Sequence, residues 1–173
     1  MSNQQPAIDL LRAQYKQSQD WLNGTLQGVT DELVHEQPAG IVLPMAGQLA
    51  HLLSGMDFMI LGSAAKQAPL FMSSYAGKAG ISEMQAPGGD MLEWGRRVKV
   101  NLLEVQEYGN AVFAGVDGYL ASLSDDDLAN EVDLPFGKFT LAWLFNILIL
   151  NNNCHTGEIS VLKGLHGLKG YPM

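Results

Sequence analysis

The chain has 173 residues, with ten Lys and Arg against eighteen Asp and Glu, and a formal net charge of −8 at pH 7. This length is enough to bury one sizeable core, so we expect a single domain over residues 1–173. Hydrophobic residues at 47% and charged residues at 16% exclude an intrinsically disordered chain. The acidic balance argues against nucleic acid as a partner, and one cysteine excludes an intrachain disulfide framework.

No segment has the features of a signal sequence or of a membrane span. Met1 to Pro6 is polar and lacks a basic start followed by an apolar block. The longest apolar run, Leu141 to Leu150, contains Asn146 and is half as long as the roughly 20 apolar residues that a spanning helix needs. We therefore expect a soluble, cytoplasmic protein without a membrane partner.

The first two predicted helices follow from apolar residues at the helical period. The first covers Ala7 to Leu26, where positions 8, 11, 15, 18 and 22 form one face. The second covers Pro44 to Leu61, and its proline suits the first turn of a helix. One face of this second helix carries Gln48, His51, Gly55 and Phe58.

The segment from Ser63 to Gly89 shows no regular period and contains two prolines and four glycines. A long irregular connection inside a compact domain is unusual and often functional. Two interpretations are open for this 63–89 loop. It is either a lid over a pocket or a crossover loop whose apolar residues, among them Phe71, Met72 and Tyr75, cover one end of a helical bundle.

Two further helices complete the predicted fold. The third runs from Asp90, a suitable N-cap, to about Ser122, with an apolar stripe that steps by four and three residues. The acidic segment Ser124–Asp133 and the short Phe136–Lys138 are predicted as turns. The last helix covers Thr140 to Leu165. Four helices with one long crossover loop, between the second and the third, predict an all-α four-helix bundle.

Two of the four histidines lie on predicted inward faces. His51 shares the face of Phe58 in the second helix, and His155 lies on the stripe of Leu148 and Leu162 in the last helix. A buried imidazole needs partners for both ring nitrogens. Two histidines from facing helices can share one metal ion. The alternative is that each is a core histidine satisfied by hydrogen bonds alone.

Polar residues surround His155 on its helix. Asn151 lies four residues before it and Glu158 three residues after it, so both are its neighbours on the helix surface. The set predicts a two-histidine metal site with an oxygen donor from either the Glu158 carboxylate or the Asn151 amide. The carboxylate is the better ligand for a divalent cation, because the amide contributes no charge. Alternatively, Glu158 supports the site from outside or pairs with a lysine near the helix end.

The remaining candidates for chemistry are weaker. We expect His35 and His166 on the surface and Cys154 as a small buried residue rather than a nucleophile. Three tryptophans are expected to pack in the core or at its rim: Trp21, Trp94 and Trp143. The sequence has no nucleophile elbow, P-loop or dinucleotide glycine pattern.

Three segments of the sequence resemble the DinB-like, or YfiT-like, family of metalloenzymes. Asn151–Ile159 is similar to the last-helix motif of that family, Leu162–Pro172 to its tail, and Gln48–Leu52 to its helix-2 histidine region. The resemblance implies a four-helix bundle of the DinB/YfiT type, often a homodimer. It also implies a divalent metal bound by three histidines near one end of the bundle.

His51 and His155 match the first and the last of the three ligand positions that the resemblance implies. The middle position, a histidine in the family, is Asn151 here. The site therefore uses Asn151 as a weak ligand, recruits Glu158, or has lost its metal. Where the divalent ion is kept, we expect Zn or Ni.

The resemblance also implies a class of activity. Characterised relatives are thiol-dependent transferases or isomerases, including enzymes that use bacillithiol or mycothiol, and a bound cation favours the thiolate form of such a thiol. We therefore expect either such a thiol transferase or isomerase or a hydrolase, acting on a small-molecule substrate. The alternative is a non-catalytic bundle, a small-molecule binder or a dimeric interaction module, in which His51 and Asn151 hydrogen-bond across the core.

Overall fold

The computed structural model describes residues 5–172. Most of the Met1–Pro6 segment, on which the prediction of no signal sequence rests, therefore lies outside the described residues. Six α-helices are described: α1 Pro6–Leu26, α2 Asp31–Val34, α3 Met45–Met56, α4 Met91–Arg97, α5 Leu102–Ala121 and α6 Leu141–Leu165. A β-hairpin joins β1 Glu131–Leu134 to β2 Gly137–Thr140.

Shorter helical segments connect these elements. A π-helical segment, Asp57–Ala64, continues α3 directly, and 3₁₀ turns occur at Leu70–Met72 and Asp125–Ala129. Among residues 5–172, no helix is both long enough and apolar enough to cross a membrane.

The four long helices α1, α3, α5 and α6 form the bundle. Helix α6 packs against α1 on one side and α3 on the other, and α5 also contacts both α1 and α3. Their inward faces form one continuous core, whose largest fully buried side chains include Leu49, Leu52, Tyr108, Leu144 and Phe145. The predicted all-α bundle with a long crossover loop is confirmed.

The first and last helices begin and end within a residue of their predicted bounds. The N-terminus of α1 is capped from a distance, because the Asp125 carboxylate accepts hydrogen bonds from the N–H groups of Ala7 at 3.2 Å and Ile8 at 3.0 Å. Helix α6 begins after Thr140, whose side-chain oxygen accepts from the Trp143 N–H at 3.2 Å.

The prediction of one continuous helix from Asp90 to about Ser122 is wrong. The chain leaves the helix after Arg97, and Val100 forms an antiparallel bridge with Ile81 of the 63–89 loop region. The Asn101 N–H donates to the Gly80 carbonyl at 2.8 Å, and the Asn101 side chain caps α5. The two valines that flank Lys99 favour extended backbone, and pairing with a distant loop stabilises the break.

The segment between α5 and α6 is also more structured than predicted. The acidic turn contains a 3₁₀ segment and then β1, which pairs with β2 in the register Glu131↔Thr140 to Leu134↔Gly137. The tight connection is Pro135–Phe136 rather than Phe136–Lys138. Four-residue strands are too short to show a clear alternation in sequence, although Val132 and Leu134 both point into the core.

The 63–89 loop is held against the bundle by a buried carboxylate. Asp57 accepts hydrogen bonds from the N–H groups of Leu70 and Phe71 and from the Tyr108 hydroxyl, each at 2.8 Å. The rings of Phe71 and Tyr75 pack against Tyr108 at centroid distances of 6.2 and 5.6 Å. This part of the loop covers the bundle, as the second of the two interpretations expects.

Candidate metal centre

Helices α3 and α6 bring His51 and His155 together. Their ring centroids are 5.2 Å apart and the ring planes meet at 80°. Both side chains are partly buried. The pair therefore lies at the edge between the two helices, accessible to solvent, rather than in the closed centre of the core.

Glu158 contacts His155 from the next turn of α6. Its Oε2 lies 2.9 Å from His155 Nδ1, and an ionised carboxylate can only accept, so Nδ1 carries the proton and donates. This hydrogen bond leaves the lone pair of the other ring nitrogen, Nε2, available for a ligand. A carboxylate behind the ring is the common means by which proteins orient a metal-binding histidine.

The surroundings of His51 favour its neutral form. Burial lowers the pKa of His51 below its usual value near 6.5, and the neighbouring His155 lowers it further. A hydrogen bond with the Asn151 side chain and the negative charge of Glu158 act in the opposite direction and raise the pKa. The net effect is a lowered pKa, and neutral imidazole is the form that binds metal ions.

The structure brings all four predicted site residues into one region, but they are not equally available to bind a metal ion. Among residues 5–172, no group of three or more His, Cys, Asp or Glu is arranged to hold a metal ion. The available donors are therefore the two imidazoles and the Asn151 amide, with Glu158 engaged by His155.

The spacing of the two imidazoles fits one shared ion. Two imidazoles on one tetrahedral ion, with metal–nitrogen distances of about 2.0–2.1 Å, have ring centres about 5 Å apart. The rings of His51 and His155 have this spacing without any rearrangement of α3 or α6. The residues present thus fit a two-imidazole site with further coordination positions open.

Two of the side candidates differ from their predictions. His35 is not a surface residue, because it is partly buried and both ring nitrogens are bonded: Nδ1 to the Asp31 carbonyl at 2.7 Å, and Nε2 to the Val100 N–H at 3.0 Å. His35 therefore joins α2 to the segment before α5. Cys154, expected to be buried, is exposed on α6 because it lies on the outer side of the helix.

Three of the other side candidates lie where they were expected, and Trp143 does not. His166 is exposed, and its Nε2 lies 3.3 Å from a Glu36 carboxylate oxygen. Trp94 is buried in the core, and Trp21 lies at its rim. Trp143 is at the surface and stacks on Phe139 with a centroid distance of 4.0 Å.

Sequence reasoning missed two buried charged residues, Asp57 and Lys163. Asp57 is the only charged residue between Glu36 and Lys66, and such isolation in an apolar helix was the available signal. The Lys163 amine donates to the carbonyls of Thr25 at 2.6 Å and Gln27 at 2.7 Å, and burial lowers its pKa. Both residues position backbone segments and neither contacts the histidine pair.

The cleft beside α1 does not include the histidine pair. One cleft of about 410 Å³ lies between α1, α6 and the C-terminal tail. It is lined by Gln14, Gln17, Ser18, Trp21, Ile149, Asn153, Thr156 and Tyr171. These residues lie on the α1 side of α6, whereas His155 faces α3. A substrate at the histidines would approach along the open α3–α6 edge instead.

Comparison with known proteins places the chain in a family. A family model described as the DinB superfamily matches residues 14–159, a range that includes all four predicted site residues. A crystal structure of a conserved protein from Enterococcus faecalis is similar in fold, with a TM-score of 0.77 and 17% identity, over 90% of this chain and 94% of that chain. A search of curated proteins gives no match. Because the family model covers most of the sequence and the fold agrees, the chain belongs to the DinB superfamily.

Proposed function

We propose that the protein is a divalent-metal-dependent enzyme of the DinB-like type, with His51 and His155 as its metal ligands. The observation that carries this proposal is the pair of imidazoles from α3 and α6, whose ring centres are 5.2 Å apart. Asn151 supplies an additional amide oxygen, and Glu158 holds the His155 ring through its 2.9 Å hydrogen bond. Open coordination positions are typical of catalytic rather than structural metal sites.

The donor set indicates the kind of ion and the kind of chemistry. Imidazole nitrogens suit Zn and Ni. When bound, such an ion lowers the pKa of a coordinated thiol or water. The proposed reaction is therefore a transfer or isomerisation that uses a low-molecular-weight thiol, or a hydrolysis, on a small-molecule substrate. The chain itself contributes a neutral His51, an oriented His155 and an approach along the α3–α6 edge.

Metal content tests this proposal directly. Protein purified without a histidine tag and dialysed against Zn²⁺ or Ni²⁺ should retain about one ion per chain, measured by plasma mass spectrometry. His51→Ala and His155→Ala should each lose the ion, whereas His166→Ala, a change at an exposed histidine away from the pair, should retain it. Metal content that responds to neither substitution at the pair would contradict the proposal.

A second candidate function is a non-catalytic bundle that binds a small molecule or a protein partner. The observation that favours it is the Asn151 side chain beside His51, an amide that can hydrogen-bond with this imidazole in place of an ion. On this account Asn151→His should create tight metal binding that the native protein lacks. Tight binding by the native protein, measured by calorimetry, would exclude it.

A further inference from the structure

The cleft of about 410 Å³ between α1, α6 and the C-terminal tail has the features of a second binding site. Its walls carry three side-chain amides, from Gln14, Gln17 and Asn153, and two aromatic rings, from Trp21 and Tyr171. We call this space the α1–α6 cleft. Its volume lies within the range of about 300–1,000 Å³ that is usual for small-molecule sites. The proposed function makes no use of it.

The buried residues that line the α1–α6 cleft are polar, although they lie where two helices pack. Ser18 and Thr156 are only 4% and 1% exposed. The amide of the buried Asn152 donates a hydrogen bond to the Ser18 hydroxyl from beneath. Burial of amides and hydroxyls costs free energy that an apolar contact between the helices would avoid. A few buried polar groups at the bottom of a cleft are typical of a binding site.

The polar groups of the α1–α6 cleft retain both donor and acceptor capacity. The Ser18 hydroxyl donates to Asn153 Oδ1 at 2.8 Å, so the Asn153 amide offers a ligand its NH₂ donors. Thr156 Oγ1 donates to the Asn152 carbonyl at 2.7 Å and can still accept a hydrogen bond. The exposed Gln17 amide adds a donor and an acceptor. A matching ligand therefore has groups that both donate and accept.

The two aromatic rings of the α1–α6 cleft are inclined to each other. The ring centroids of Trp21 and Tyr171 are 5.2 Å apart and the ring planes meet at 55°. The tail holds Tyr171 in place, because it packs so closely on α1 that a Cβ at Gly24 would lie 2.6 Å from Pro172. Such a pair presents ring faces to the C–H groups of a ligand. It forms no parallel slot in which a flat base could stack on both sides.

None of the residues that line the α1–α6 cleft within the described part of the chain is charged. An ionised ligand would lose water there without gaining an opposite charge. The net charge of −8 also repels anions from the molecule as a whole. The cleft therefore suits a neutral ligand.

We propose that the α1–α6 cleft binds a neutral, polyhydroxylated small molecule, namely a monosaccharide or a disaccharide. Each sugar hydroxyl both donates and accepts, as the amides of Gln17 and Asn153 require. The C–H face of the sugar ring packs against the Trp21 ring. The cleft lies on the α1 side of α6, whereas His155 faces α3, and it needs no metal ion. Its test is therefore independent of the proposed function.

Heteronuclear NMR of the full-length protein tests sugar binding. The indole N–H signal of Trp21, assigned by its loss in Trp21→Phe, is followed during titration with the methyl glycosides of glucose, galactose, mannose and N-acetylglucosamine, and with maltose, cellobiose and trehalose. At least one sugar should shift this signal saturably, while the signal of the buried Trp94 stays in place. Adenine, a neutral flat base, should bind more weakly than that sugar. No response to any sugar, or tighter binding of adenine than of every sugar, would overturn the proposal.

Two substitutions test whether the sugar lies in the α1–α6 cleft. Gln17→Ala and Asn153→Ala should each raise its dissociation constant about fivefold, because each removes a hydrogen-bonding amide. Gln19→Ala is the matched control and should bind normally, since that amide lies on the same helix but donates to Asn110 of α5. His155→Ala should also bind the sugar normally, so that loss of the metal site and loss of the sugar site are distinguishable. An unchanged dissociation constant in both cleft variants would overturn the proposal.

Discussion

Asp57 shows how a single buried carboxylate determines the course of a long loop. It ends α3 and accepts from two backbone N–H groups of the Leu70–Met72 turn and from the Tyr108 hydroxyl. Burial raises the pKa of the Tyr108 hydroxyl, and the negative charge of Asp57 raises it further. The hydroxyl therefore stays protonated and donates. The loop, α3 and α5 are joined at this one point.

Replacement of Asp57 by asparagine should destabilise the fold. Hydrogen bonds to a charged group contribute about 1.5–3 kcal/mol each, and the amide NH₂ of Asp57→Asn would face a donor, so we expect a loss of about 2–4 kcal/mol. Tyr108→Phe removes one donor only and should cost about 1–2 kcal/mol. Urea unfolding measures both. An Asp57→Asn protein as stable as the native one would contradict this role.

Glu158 should affect metal affinity without being a ligand. Glu158→Gln retains an oxygen that can accept from His155 Nδ1 but removes the charge, and such partners of metal-binding histidines typically contribute about 10–100-fold in affinity. We therefore expect zinc affinity, measured by competition with a chelating dye, to fall within that range. Glu36→Gln, at the carboxylate beside the exposed His166, is the matched control and should have no effect.

The members of the site follow from the sequence, but their roles do not. Helical spacing brings Asn151, His155 and Glu158 together because all three lie on one helix. That spacing cannot show that Glu158 bonds to Nδ1. It also cannot reveal the role of His35, whose partner Val100 is 65 residues away. Contacts between distant segments depend on packing that a periodic pattern does not contain.

At the scale of elements, the contact between the 63–89 loop and the start of α5 is the least predictable from the sequence. Gly80 has a φ of +69°, and a Cβ there would lie 2.6 Å from the Val105 nitrogen. Its carbonyl accepts from the Asn101 N–H at 2.8 Å, next to the bridge of Ile81 with Val100. This close approach fixes the point at which α5 begins.

Gly80→Ala should therefore be far more destabilising than Gly77→Ala. Both glycines have positive φ, which costs an alanine about 1–2 kcal/mol, but a Cβ at Gly77 meets nothing within 4 Å. Because the new Cβ clashes with α5, Gly80→Ala should lower the free energy of unfolding by at least about 2 kcal/mol more than Gly77→Ala does. Chemical unfolding measures the stability of the two variants. Equal losses of stability in both would refute the close contact at Gly80.

The ion pair between α1 and α5 should stabilise the fold to an extent that depends on pH. Arg12 donates two hydrogen bonds to Asp117, at 2.7 and 2.9 Å, and these hold the pKa of the Asp117 carboxyl below its usual 3.8. The stabilisation is therefore present above pH 3.8 and is lost as pH falls through the lowered pKa.

Asp117→Asn should accordingly destabilise the protein more at pH 7 than at pH 2. Both side chains are about half exposed, so we expect less than about a tenfold change in the unfolding equilibrium constant. Guanidinium titrations at the two pH values measure it. If Asp117→Asn destabilises the protein equally at both pH values, the ion pair is not the cause of the destabilisation.

The elements themselves were predictable where one helix packs along its whole length. The bounds of α1 and α6 agree with the apolar period because each buries one continuous face. The period fails between α4 and α5, because Val98, Leu102 and Val105 have helical spacing although the chain is extended between the first two. The hairpin was missed because its strands are short and their stability comes from pairing.

At the scale of the whole molecule, the bundle is what creates the candidate site. His51 and His155 are separated by 104 positions in sequence and meet only because α3 packs against α6. A shared ion at the two imidazoles is thus the central claim about this member of the DinB superfamily.

Anomalous diffraction from crystals grown with Zn²⁺ tests that claim most directly. Data collected on both sides of the zinc absorption edge should show one strong peak per chain within about 2.0–2.1 Å of a nitrogen of His51 and of His155. The peak should vanish in His155→Ala crystals grown in the same way. A peak elsewhere on the molecule, with none between these two rings, would contradict the account.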